Sequence, residues 1–208
     1  MVSKLCDQIF DTVINQYHIL DTIEQPMYTT NEVGSLSYLL YKKCWIDTVQ
    51  WHMEDIIRNP AIDLKDGMDL KRRIDKSNQE RTDTVEMIDD HFFYKYNDVD
   101  LKFNAKMNSE SPAWLIDRVS ILTLKIYHMN EETLRTNISI KHLDSCRDKL
   151  VILKEQHSDL MICLDDLIGE IQTGVKRMKV YRQMKMYNDE NLNPVLYMNN
   201  RKKVNNLE

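Results

Sequence analysis

LDSCRDKLVILKEQHSDLMICLDDLIGEIQTGVKRMKVY, residues 143–181, decides the fold. Leu143, Cys146, Leu150, Leu153, His157, Leu160, Leu164, Leu167, Ile171, Gly174, Met178 and Tyr181 follow one another in it at steps of three and four. A repeat of about 3.5 residues sustained over that many turns is the mark of a supercoiled helical seam. Carried through to Tyr181, the helix would run about 60 Å at about 1.5 Å per residue. A seam that long needs a second surface. It predicts either a homodimer through this helix or shorter helices of the same chain covering it in succession.

The rest of the chain reads as helix too. Four Gly and four Pro in 208 residues leave little punctuation, which favours long helices over strands joined by tight turns. A first helix spans 4–20. A second runs over 32–57 and stops at Asn59-Pro60, because the residue before proline avoids helical geometry. Gly67 interrupts the pattern, and a third helix then carries Leu70, Ile74, Val85, Ile88 and Phe92. After a polar stretch at 97–111, Ser111-Pro112 supplies an N-cap and a first-turn proline for a fourth. The expected fold is all-α: an antiparallel helical bundle with one very long C-terminal helix. One domain covers 1–187, followed by a polar tail at 188–208 from which Val195, Leu196 and Tyr197 could dock.

Composition narrows the function. With 28 basic and 33 acidic residues the net charge is −5, and KRR at 71–73 and RKK at 201–203 are the dense basic runs. Nucleic acid is therefore not expected as a partner. No stretch approaches the ~18 apolar residues of a membrane span, and MVSKLCDQIF has no secretory apolar core. Cys6, Cys44, Cys146 and Cys163 lack metal-type spacing and read as reduced thiols, so a cytoplasmic protein is expected. No cofactor and no metal set is assigned from spacing.

Two stretches gather hydrogen-bonding groups beside a core. In WHMEDIIRNP, residues 51–60, His52 sits at the edge of the apolar side formed by Tyr38, Trp45, Ile46, Val49, Met53 and Ile56. Asp47, Glu54 and Arg58 lie opposite, with Trp51 and Asp55 on the flank. Asp55 is one turn beyond His52, so the two can hydrogen-bond, as a general base or metal ligand would require. A lone histidine at a core edge is more often structural. In KRRIDKSNQERTDTVEMID, residues 71–89, Asn78 and Arg81 lie within the apolar stripe. A buried guanidinium demands a carboxylate, so Arg81 implies an ion pair with an acid of the second or fifth helix, or a bound anion. If the second and third helices form a hairpin, facing residue numbers sum to about 126, which brings Asp55 level with Lys71 and Trp51 level with Asp75. The candidate site is Trp51, His52, Asp55, Lys71, Asp75, Asn78 and Arg81. Glu86-x-x-Asp89 matches half of the acid pattern of all-α nucleoside-triphosphate pyrophosphatases. The other half is missing, because the second helix carries only adjacent Glu54-Asp55.

WHMEDIIR, KRRIDKSNQERTDTVEMID, LIDRVSILTLKIYHM and YRQMKMYNDENLNP, in this order, resemble a Bacteroidetes-type bacterial family of uncharacterised helical proteins of about this length. The resemblance implies a single domain and carries no activity or catalytic residues with it. Three readings follow from the residues. The leading one is a non-catalytic helical protein binding an anionic small molecule or a partner's acidic group. The second is a metal-assisted enzyme on a phosphorylated or nucleotide-type substrate, using His52, Asp55 and Asp75 with Arg81 as anion clamp. The third is a structural dimer in which every charge is paired internally.

Overall fold

A computed structural model describes residues 1–184, 186 and 189–198. Among these, the chain is all-α, without strands: α1 (Val2–Tyr17), α2 (Leu36–Ile57), α3 (Leu64–Tyr96), α4 (Pro112–Leu134) and α5 (Ile140–Gln172). Among the described residues no helix is long and apolar enough to cross a membrane. The basic run at 201–203 lies outside the described residues.

Local chemistry sets most helix starts. Ser35, Asp63, Ser111 and Ser139 each accept from a backbone N–H of the first turn they precede, satisfying donors that have no intrahelical partner. The Ser111 cap is reinforced from outside. Buried Asp89 of α3 accepts from the Ser111 hydroxyl and from Ala113 N–H, locking the start of α4 to α3. The second acid of the Glu86-x-x-Asp89 pattern is therefore a helix cap. Gly67 does not break the third helix. With Asp63 as cap, it falls in the first turn of α3.

The C-terminal helix is shorter than its spacing implies. α5 ends at Gln172, and at 33 residues it equals α3 instead of dominating the molecule. Gly174 adopts φ +70 just beyond it. Its carbonyl accepts from Lys102 N–H, and a Cβ there would lie 2.2 Å from the Asp100 carbonyl oxygen. The 97–106 loop thus crosses at the point where the seam would have continued. Up to Ile171 the spacing holds. Every seam residue from Leu143 to Ile171 is buried or half-buried, against α4 and α1 of the same chain. Val151, Ile152 and Ile162, off the seam, are exposed.

α1 packs on α2, α4 and α5. Its Phe10, Val13 and Tyr17 are fully buried at helical spacing, with Leu40, Ile88, Phe92, Ile116 and Leu164 around them. α2 is enclosed from several sides, touching α1, α3 and α4. Between Leu39 and Thr48 only Lys42 escapes burial. That enclosure is why the polar residues of α2 need partners inside the protein. Gln50 bonds to Ser77 and Asn78, and Asp47 meets Arg81. The paired numbers fall as the others rise, so α2 and α3 run in opposite directions.

Candidate functional site

Four charges from three helices meet beneath a cleft. Lys43, with no exposed surface, pairs with Asp47 one turn along α2 and with Asp117 of α4 at 3.0 Å. Arg81 of α3 donates to Asp117 through Nε (2.9 Å) and Nη2 (2.7 Å), and its Nε lies 3.6 Å from Asp47. Ser120 donates to Asp47 at 2.5 Å. Two cations and two anions balance, which is the condition for keeping such groups out of water. The two carboxyls respond differently. Burial pushes Asp47 above the usual carboxylate range, outweighing Lys43. Burial acts on Asp117 too, but Lys43 and Arg81 together outweigh it and hold Asp117 below that range.

Above this network lies an open cleft of about 320 Å³ between α2, α3 and α4. Asp47 and Arg81 form its floor, Trp51, Ile121 and Leu124 its apolar wall, and Glu54, Asp55 and Arg58 its rim. Arg58 and Glu54 pair at 2.7 Å. The Asp55 carboxylate accepts no hydrogen bond and forms no ion pair among the described residues, so the rim retains one uncompensated negative charge.

The expected site residues separate into four places. Trp51 and Arg81 line the cleft together with Asp55. Arg81 takes its main partner, Asp117, from α4, which is neither of the expected helices; of the expected acids, Asp47 of α2 stands at 3.6 Å, and no acid of α5 pairs with it among the described residues. Asn78 accepts from Gln50 at 3.0 Å. Lys71 and Asp75 pair with each other on the exposed face of α3. His52 goes elsewhere: it makes no hydrogen bond to Asp55, and its Nε2 lies 3.2 Å from His18 Nε2 and 3.6 Å from Asp21.

His52 belongs to a histidine cluster. His18 follows the last turn of α1, His52 sits on α2 and His128 on α4. One ring nitrogen from each lies within 4.8 Å of the other two. Aromatic neighbours hold the rings: Tyr17 stacks on His52 (5.0 Å between centroids), and Trp51 stacks on His128 (4.7 Å, 8° between planes). Trp51 is thus the wall shared by cleft and cluster. Burial lowers the His52 pKa, helped by His18 and opposed by Asp21. Burial and the neighbouring His18 and His52 push His128 down to about 4. Neutral imidazole is the metal-binding form.

Sequence reasoning missed Lys43, Asp117 and Ser120 as charge partners, and His18 and His128 as neighbours of His52. The Lys43–Asp47 spacing of four was a local signal. Asp117 and His128 stood in LIDRVSILTLKIYHM, among apolar residues, where a polar group has to find a partner. No curated protein and no solved structure matches this chain. Residues 37–180, from the first turn of α2 past the end of α5, match the family DUF4254, described as a protein of unknown function, and the chain belongs to that family.

Proposed function

We propose that this protein binds a small molecule in the cleft between α2, α3 and α4, with a flat apolar part of the ligand against Trp51 and a donor or positive group at Asp55. The observation that carries the reading is the charge balance. Arg81 is engaged by Asp117 through two of its nitrogens, Arg58 by Glu54, and Asp55 alone at the rim is unmatched. The cleft therefore favours a neutral or cationic ligand over the anion that Arg81 suggested in the sequence. At about 320 Å³ it falls near the small end of ligand pockets, which run from about 300 to 1,000 Å³. Its size suits a nucleobase or an aromatic amine better than a sugar nucleotide.

The test is a thermal-melt panel of nucleobases, nucleosides and aromatic amines set against nucleotides and phosphorylated sugars. A ligand at about a hundred times its Kd adds about 2.7 kcal/mol, or about 5–10 °C for a chain of this size. Shifts by the uncharged or cationic members that disappear in Trp51→Ala and weaken in Asp55→Asn support the reading. Shifts confined to the anions, or retained in Trp51→Ala, would overturn it.

A further inference from the structure

We propose that His18, His52 and His128, completed by Asp21, form a binding site for one divalent transition-metal ion of the zinc type. This goes beyond the cleft reading and stands on different residues, sharing only Trp51 as a wall.

Geometry carries the inference. Zinc bonds imidazole nitrogen and carboxylate oxygen at about 2.0–2.2 Å in tetrahedral array, which sets neighbouring donor atoms about 3.3 Å apart. Two edges of such a tetrahedron are already close to that spacing: His18 Nε2 to His52 Nε2 at 3.2 Å and His52 Nε2 to Asp21 at 3.6 Å. The third histidine has a ring nitrogen within 4.8 Å of those of the other two, so small side-chain movements bring the three imidazoles to one point, and the exposed Asp21 side chain, 3.6 Å from His52, turns in to complete the set.

The surrounding contacts prepare the ligands. His18 Nδ1 lies 2.6 Å from the Ile14 carbonyl oxygen. A carbonyl only accepts, so Nδ1 carries the proton and Nε2 turns its lone pair toward His52. Carbonyl support of the distal nitrogen is the usual means of fixing the tautomer of a metal-binding histidine. A His18–His52 hydrogen bond is the competing account of the 3.2 Å contact. It leaves His128 unexplained: its Nε2 is buried and has no hydrogen-bond partner among the described residues, a state that ordinarily carries a desolvation penalty. A metal ion satisfies all three rings together. Asp21 is half exposed, opening the site to solvent, and it holds φ +49 in the turn after α1. Three imidazoles with one carboxylate are a borderline donor set suited to Zn²⁺ and its neighbours, not to Mg²⁺ or Ca²⁺. Glu132, His142 and Cys146 form a second group with ligand spacing. There Glu132 is already held by Arg135 at 2.7 Å, and the group serves as the internal control.

The experiment titrates the metal-free full chain with Zn²⁺ by calorimetry and with Co²⁺ by visible absorption, alongside His52→Ala, His128→Gln, Asp21→Asn and His142→Ala. The parent and His142→Ala should bind one ion, Co²⁺ giving the intense band of tetrahedral coordination. His52→Ala and His128→Gln should bind at least about 100-fold more weakly, and Asp21→Asn about 10-fold. X-ray absorption on the zinc-loaded parent needs no variant to fold, and should show imidazole nitrogens and oxygen with no sulfur. Absence of binding, full binding in His128→Gln shown folded by circular dichroism, or sulfur in the zinc shell would overturn the proposal.

Discussion

Lys43 has no exposed surface and faces two carboxylates, so it is the residue on which the charge network depends most. Lys43→Met would leave Asp47 and Asp117 with one guanidinium between them. Removing one partner from a buried ion pair costs about 3–5 kcal/mol, and urea unfolding should show a loss of that size. The same logic explains what the sequence told at this scale. Arg81 within an apolar stripe required a carboxylate, and it has one. The identity of that carboxylate was not legible, because Asp117 is 36 residues away and on a different helix. His52 illustrates the limit more sharply. Spacing along α2 offered Asp55 as its partner, whereas packing supplies Tyr17, His18, Asp21 and His128 from α1, the turn after it and α4. Local periodicity reports which side chains share a helix face. It does not report which other helix that face meets.

At the scale of the element, caps and seams were readable and lengths were not. The three-four spacing of α5 names the buried face correctly through Ile171. Leu167→Ala should therefore cost about 2–5 kcal/mol, as deletions in a packed core do, while Val151→Ala on the exposed face should change stability by less than about 0.5 kcal/mol. Equal losses at the two positions would mean that another surface covers Val151. The apolar pattern runs on to Met178 and Tyr181, and Gly174 within it is the one sign of a bend or a close approach. The stop comes from Gly174, whose positive φ and close approach to Asp100 exclude a side chain. Gly174→Ala should destabilise by about 1–3 kcal/mol, measurable as a lowered denaturation midpoint at unchanged slope. Gly67 gives the opposite lesson. Glycine within a helical pattern reads as a break, yet the Asp63 cap starts α3 four residues before it and the helix passes through.

Across the whole molecule, α2 is the element around which the others are arranged, and its polar residues are the price of that position. α1, α3 and α4 all touch it. The side it shares with α3 and α4 carries the charge network and the cleft, and Trp51 separates these from the histidines gathered with α1 and α4. Arg81 and Asp117 bind each other across this junction and hold α3 to α4 as a pair, with the guanidinium engaged by the protein instead of a ligand. The direct measurement is a double-mutant cycle of Arg81→Met, Asp117→Leu and the double variant, followed by urea unfolding. Each single change should cost about 2–4 kcal/mol through the charge it strands, the double variant should be no less stable than the worse single, and the coupling should be at least about 1.5 kcal/mol. Additive losses with no coupling, or an Arg81→Met protein as stable as the parent, would contradict this pairing and return Arg81 to the ligand.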